Sequence, residues 1–366
     1  MDISNTNTVT NETPNKYIAW ISLDNRRLAC GELEIFLGAK LSDASSNARD
    51  AFTDHAHAND HIIFFSYNGD ESKFSRLAFT HRIARICETF PLDKVPNQLA
   101  QQINTPSYRV EFFNSSLEID QETANKVYRI AFSSIADPHV SLKNPATVFC
   151  CFIDFANIQK TVYIAQQVWQ NDFAYEQRKS HLRAHSHAAV MPPKLVRVMI
   201  NLTGISGNAT ATESILDPFC GTGGVLIEAM HCGIHAVGSD ISAQMIAGAK
   251  ENCKNEIAAR PQFREYCDPT SYIIKECATK IAIHADAIVT DVPYGKNTKK
   301  LENKNLYYDF LVHVAKNKLT KRIVICMPHY AHGAKIIEKT PWRTLASFSL
   351  RVHNSLTREL FVLTLN

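Results

Sequence analysis

The stretch Ser214-Ile215-Leu216-Asp217-Pro218-Phe219-Cys220-Gly221-Thr222-Gly223-Gly224 decides the fold. An apolar run reaches an acid, turns through glycines and enters Val225-Leu226-Ile227-Glu228-Ala229-Met230, a pattern that predicts strand, tight loop and helix. Gly221 and Gly223 let the backbone approach a ligand closely, and the N–H groups opening the helix form a polar cradle. The spacing is not Gly-x-Gly-x-x-Gly and there is no Gly-Lys-Ser/Thr, which weakens dinucleotide and triphosphate readings. Asp217 before the loop opposes a phosphate and suits a cationic ligand. S-adenosyl-L-methionine, with an ammonium and a sulfonium, fits that demand. Taken alone, the loop reads equally well as an ordinary strand-to-helix turn.

A chain of 366 residues predicts two domains or three small ones. The net charge of +3 announces no global affinity for nucleic acid, so any such surface must be a local patch. Ten cysteines without a Cys-x-x-Cys pair argue against a structural zinc and for reduced core thiols of a cytoplasmic protein. Residues 1–16 are polar and are expected to be a disordered tail, neither signal peptide nor anchor. No apolar run is long enough to span a bilayer, so no membrane partner is expected.

Taken in order, residues 17–21 read as a strand, 28–37 as a helix, 61–67 as a strand and 74–87 as a return to helical period. A second small unit begins near residue 107, with strand patterns over 108–113, 147–153 and 161–165. Gln177-Arg178-Lys179-Ser180-His181-Leu182-Arg183-Ala184-His185-Ser186-His187 is the strongest cationic patch. A solvated linker is one reading of it. Phosphate contact through Arg178, Lys179, Arg183 and the nearby Lys194 is the other. His181, His185 and His187 have no carboxylate or cysteine close in sequence, so no metal is expected. A helix follows from about residue 194.

From residue 214 the pattern is βαβ. Residues 235–240 make a second strand ending in Asp240, 23 residues past Asp217. That matches the spacing of about 20 for an acid that hydrogen-bonds a ribose hydroxyl; Asp240 also suits a helix N-cap. A weakly marked third strand is placed near 262–266, with Asp268 after it as an adenine contact or a turn residue. Residues 286–291 and 321–327 are strands four and five, and 359–365 a late strand expected to insert antiparallel. On this reading Asp217, Asp240, Asp268 and Asp291 all end strands, where ligands of such sheets bind.

Asp291-Val292-Pro293-Tyr294 is the chemical half. An amine on a nucleobase is a poor nucleophile because its lone pair is delocalised into the ring. The Asp291 carboxylate and the Val292 carbonyl are suited to accept its two N–H bonds, with Asp291 taking the released proton. Pro293 stiffens the turn and Tyr294 offers a face for stacking. Such a base is expected to swing out of its helix.

These motifs, with His353-Asn354-Ser355-Leu356-Thr357-Arg358, resemble the tRNA guanine-N2 methyltransferases, in particular the archaeal and eukaryotic type acting at position ten. The likeness runs through most of the chain after residue 16. It implies an α/β Rossmann-like methyltransferase domain with an antiparallel late strand over 201–366, preceded by an α+β ferredoxin-like region over 17–100, a THUMP-like RNA-binding domain over 101–170 and a basic linker over 171–200. It also implies S-adenosyl-L-methionine as cofactor, held by Asp217, Cys220, Gly221 and Gly223 at the methionine, Asp240 at the ribose and Asp268 at the adenine, with Pro218 and Ile241 also among its contacts. Asp291, Val292, Pro293 and Tyr294 then take the target base. The partner implied is tRNA, and some eukaryotic relatives also need a small activator subunit; oligomeric state is not legible. Two departures stand out: Val292 replaces the family's usual proline, and Lys296-Asn297-Thr298 replaces an arginine-containing continuation. Two other readings stay open: a methyltransferase for another guanine N2 or an adenine N6, and an RNA-binding protein that kept the fold.

Overall fold

Apolar β-branched runs separated by helices build two sheets in a computed structural model that describes residues 14–42, 61–94, 105–114, 121–132, 140–154, 160–186, 190–207, 212–294 and 305–365. His55, His57, His187 and residues 295–298 lie outside the described residues, as do 1–13 of the expected tail. Strand β1 begins at Asn15, inside that expected tail.

The chain's contacts gather into two units. The first takes Met1–Trp20, Ala39–Glu71 and Arg82–Gln170. Its sheet uses β1 (Asn15–Ile21), β2 (Lys40–Ser42), β3 (Ile62–Tyr67), β4 (Thr80–Pro91), β5 (Tyr108–Asn114), β6 (Thr147–Asp154) and β7 (Thr161–Gln170), in the order β2-β3-β1-β4-β7-β6-β5. Strands on both sides of residue 100 share this sheet, so the expected domain ranges and the observed units do not coincide. Residues 80–87, expected to be helical, are strand β4. The reason is visible in the register: bulges at Ile83/Ala84 and Ile86/Glu88 break the two-residue alternation and leave isoleucines three apart, which mimics a helix.

The second unit takes Ile21–Gly38, Ser72–His81 and Asn171–Asn366. Its helices are α1 (Arg26–Gly31), α3 (Pro193–Asn201), α4 (Gly224–His231), α5 (Ala243–Ala259), α6 (Leu306–Lys316) and α7 (Gly333–Ile337); α2 (Gln121–Phe132) belongs to the first unit. A buried carboxylate ties the early segments in. Glu32 accepts the N–H groups of Ala78 and Phe79 at 2.8 and 3.0 Å and the Asn201 amide at 2.6 Å. Arg76 adds a bond to Asn201 at 3.0 Å. A buried charge persists only when its lone pairs are filled in this way.

The sheet is β8 (Ser214–Asp217), β9 (His235–Asp240), β10 (Ile273–Lys275), β11 (Ala287–Asp291), β12 (Arg322–Pro328), β13 (Trp342–His353) and β14 (Leu356–Leu365), ordered β10-β9-β8-β11-β12-β14-β13. The first five are parallel and β14 runs antiparallel to β12, as the late strand was expected to do. Leu216, Ile288, Ile323 and Ile325 from the strands pack with Phe310, Leu311 and Val314 of α6, all fully buried. Each such side chain contributes about 1.5–3 kcal/mol.

The third strand is not at 262–266. Pro261–Glu265 is a 3-10 turn whose Phe263 packs on His231, with ring centroids 4.7 Å apart. The strand is the three-residue β10, too short to show a period. Asp268 therefore precedes β10 in the chain, whereas the other three acids end their strands. Its carboxylate closes a turn on Thr270 N–H at 2.9 Å and the Ser271 hydroxyl at 2.8 Å, which hold it below the usual carboxylate range.

Candidate active site

Parallel pairing brings the acids of β8, β9 and β11 to one edge. Asp217 ends β8 opposite Gly238 of β9, and Asp291 ends β11 opposite Cys326 of β12. Between β8 and α4 the loop bends through Gly221 at φ 51° and Gly223 at φ 86°, conformations that disfavour side chains. Gly223 N-caps α4, and a Cβ on Gly221 would meet nothing within 4 Å, so the loop faces open space there. Cys220 is buried and its N–H is taken by the Ser239 carbonyl at 2.9 Å, which pins the loop to β9; the Ser239 hydroxyl reaches the Pro218 carbonyl at 3.5 Å.

Asp240 closes the same pocket edge. Its Oδ2 accepts from Gly221 N–H at 3.1 Å and its Oδ1 from Ser242 N–H at 2.8 Å. Each oxygen keeps a lone pair for a ligand hydroxyl. Ser242, not Asp240, N-caps α5, accepting from Met245 N–H at 3.3 Å. Ile241 beside it is 71% exposed, which leaves most of an apolar side chain open.

Asp217 is buried and accepts from the Thr290 hydroxyl at 2.7 Å and Phe219 N–H at 3.1 Å. Burial nevertheless pushes its carboxyl up to about 7, helped by the charges of Asp240 and Asp291. Asp291 keeps a fifth of its side-chain surface open (20%) and is pushed up to about 6 by burial, against the pull of Arg358 and the Tyr294 hydroxyl.

The Tyr294 hydroxyl donates to Asp291 Oδ1 at 2.6 Å and accepts from Arg358 Nε at 2.9 Å. Burial and the adjacent carboxylate push this hydroxyl up, so it stays a donor. The ring expected to offer a stacking face thus points its polar end at the acid. Tyr307 and Tyr330 donate to the carbonyls of Pro293 at 2.6 Å and Tyr294 at 2.8 Å, and neither takes that of Val292. The Val292 side chain is buried in the core, and its N–H donates to Cys326 O at 3.2 Å, a bond proline lacks.

The cationic patch is largely spent on packing. Arg178, expected at RNA, is buried against Glu228 through Nε at 2.6 Å and Nη2 at 3.0 Å, and Arg197 completes the cluster. Lys194 bonds Ser22 at 3.1 Å and stands 4.2 Å from the Phe79 ring centroid. Arg183 donates to the Arg178 carbonyl at 2.9 Å and is half-buried. Lys179 is exposed, paired with Glu176. His185 bonds Glu251 at 2.7 Å. Arg358, Tyr307 and Tyr330 went unassigned in the sequence. Only Arg358 had a signal, since an antiparallel last strand brings its first residues to the ligand edge.

Two methylase family models match: an RMKL-like methyltransferase domain over residues 180–359, which contains the whole site, and a DNA methylase over residues 40–251, which ends before β11. The tRNA (guanine(10)-N2)-dimethyltransferase of Methanothermobacter thermautotrophicus is 30% identical over 79% of this chain and 83% of its own. The chain belongs to the tRNA (guanine(10)-N2)-dimethyltransferase family. A second family protein, from Pyrococcus abyssi, is 33% identical over 52% of this chain and 54% of its own. The fold is shared with the crystal structure of TrmN from Thermus thermophilus, with a TM-score of 0.50, 15% identity and coverage of 96% and 100% of the two chains. Among the described residues, no helix is long and apolar enough to cross a membrane, and no group of three His, Cys, Asp or Glu is placed to hold a metal.

Proposed function

We propose that this protein transfers a methyl group from S-adenosyl-L-methionine to the exocyclic N2 of a guanosine in tRNA, at position ten. One observation carries the reading. The two acids assigned to cofactor and base are joined through one residue, Thr290, which neighbours Asp291 in sequence and bonds Asp217 at 2.7 Å.

The residues present fit the cofactor. The Gly221 bend opens on free space, Asp217 and Asp240 supply negative charge, and exposed Ile241 lies where an apolar face would cover a ribose or base. With Asp268 closing a turn ahead of β10, Glu276 and Cys277, which follow β10, are the proposed adenine contacts. When bound, S-adenosyl-L-methionine supplies an electrophilic methyl and departs as a neutral thioether. The protein's residues then act on the base. Asp291 accepts one N–H of the amine and the Val292 carbonyl, untouched by Tyr307 and Tyr330, accepts the other. Both acceptors favour a pyramidal nitrogen, and the proton released as the N–C bond forms passes to Asp291. Tyr294, once off the carboxylate, offers its ring to the base.

For tRNA, exposed Lys179 in the second unit is one proposed contact, and the strands of residues 101–170 in the first unit, as a THUMP-like domain, are separately another. We further infer a cytoplasmic location, in keeping with ten free thiols, and leave a small activator subunit as a variable of the assay. The test is nucleoside analysis of unmodified tRNA incubated with protein and labelled cofactor. N2-methylguanosine at position ten is expected. Cofactor binding without that product, with and without added partner subunit, would sink the proposal.

A further inference from the structure

Antiparallel pairing of β14 with β12 sets Arg358 opposite Pro328, two residues beyond the Cys326 that faces Asp291. This carries an arginine from the chain's last strand to the carboxyl edge of the parallel strands. There it is buried, with 7% of its surface exposed. Its Nε donates to the Tyr294 hydroxyl at 2.9 Å, and its Nη2 stands 3.9 Å from Asp291 Oδ2, too far for a hydrogen bond but close for a charge. The guanidinium carbon lies 5.9 Å from the Tyr294 ring centroid.

We propose that Arg358 is the positioning residue of the Asp291 acceptor, holding the Tyr294 hydroxyl as a stopper over Oδ1 that the substrate amine displaces. The inference rests on the reading of Asp291 as the acceptor of the amine. The donor chain has a direction. Arg358 fills a lone pair of the Tyr294 oxygen, so the phenolic proton is aimed at Asp291 rather than at the Cys326 sulfur 3.6 Å away. Serial bonds of this kind strengthen one another. A carboxylate left without a donor where burial already raises it would protonate and lose its capacity to take the amine's proton. The stopper keeps it occupied, and the guanidinium keeps it charged. An entering N–H donor replaces the phenol one for one, so the carboxylate is never stripped of a donor. The released ring remains tethered beside the site by the Tyr330 bond to its own carbonyl at 2.8 Å.

The groups facing Asp291 are few among the described residues. Arg358 comes from β14, Tyr294 from its own turn, the Cys326 thiol from β12, Asp217 from β8 and the Tyr307 hydroxyl from α6. Arg358 is the one cation in that set. Burial and Asp217 both favour the protonated acid, and removal of Arg358 leaves only neutral donors to oppose them.

The experiment measures kcat/KM on unmodified tRNA from pH 5 to 9 for wild type, Arg358→Gln, Arg358→Lys and Tyr294→Phe, with cofactor affinity and melting recorded for each. Arg358→Gln is expected to raise the acid limb by about 1 pH unit. Arg358→Lys is expected to restore the limb through its charge while kcat stays low, because a lysine cannot bond the phenol and face the carboxylate together. Tyr294→Phe removes the same donor chain without touching the guanidinium, and is expected to raise the limb too. It stands in for Arg358→Gln if that variant does not fold. Folded, cofactor-binding variants whose acid limb stays at the wild-type position overturn the inference, since a merely structural role would lower kcat without moving the limb. Asp291→Asn separates the two readings. If it turns over like wild type, the acceptor reading fails. If it is inactive while the limb stays unmoved in the other variants, the Arg358 inference alone fails.

Discussion

The hydroxyl of Thr290 on β11 donates to Oδ1 of Asp217 on β8 at 2.7 Å, in a site where both side chains are buried. This bond spans the two halves of the proposed site, because Asp291 is the next residue in the chain. Thr290→Val keeps the shape and removes the donor. It leaves a buried carboxylate with the Phe219 N–H at 3.1 Å as its remaining bond. The expected loss is about 2 kcal/mol of stability. The folded Asp217 carboxyl is raised to about 7, above its unfolded value, so its burial opposes folding increasingly as pH rises through that range. The deficit in melting temperature should therefore be larger at pH 8 than at pH 5.5. Cofactor affinity should also fall, and an unchanged dissociation constant would remove Asp217 from the cofactor's surroundings.

Arg178 and Lys179 are adjacent in sequence and opposite in role. Arg178→Ala leaves Glu228, fully buried, with Arg197 at 3.1 Å as its remaining ion-pair partner among the described residues. We expect a cost of about 3 kcal/mol in urea unfolding. Lys179→Ala, at an exposed position, should leave the unfolding midpoint in place. It should weaken tRNA binding and shallow its salt dependence by about one counterion. The reverse pattern would return Arg178 to the RNA.

Val292→Pro restores the residue usual in the family but removes the N–H that bonds Cys326 O at 3.2 Å and a side chain buried in the core. The lost bond costs about 1 kcal/mol, partly offset by a stiffer unfolded chain. The expectation is a less stable protein with no gain in kcat. A variant that turns over tenfold faster would mean that the turn, and not the acceptor pair, limits the wild type.

What the sequence made legible follows from how local each signal is. The Asp217 loop and the acids Asp240 and Asp291 were readable because a change of hydrophobic period marks each strand end within a few residues. Strand β4 was hidden by its two bulges, and β10 by having three residues, so that Asp268 falls before a strand and not at the end of one. Arg178 looked like a phosphate contact because its partner Glu228 is 50 residues away on another helix, and charge pairing at that range leaves no pattern in the sequence. Arg358 sat inside a quoted motif, yet its meaning depends on the register of β14 against β12, which only three dimensions provide.

In the proposed mechanism Asp291 accepts and deprotonates the target amine. The direct measurement is single-turnover formation of N2-methylguanosine in unmodified tRNA by Asp291→Asn beside wild type, with cofactor and tRNA affinities measured on the same samples. Wild type is expected to form that nucleoside with an acid limb near the value of about 6 to which burial raises the carboxyl. The variant is expected to bind both partners and lose at least a hundredfold in rate, in line with about 10²–10⁴ for general base catalysis. An Asp291→Asn protein that methylates guanine N2 at the wild-type rate would contradict this mechanism.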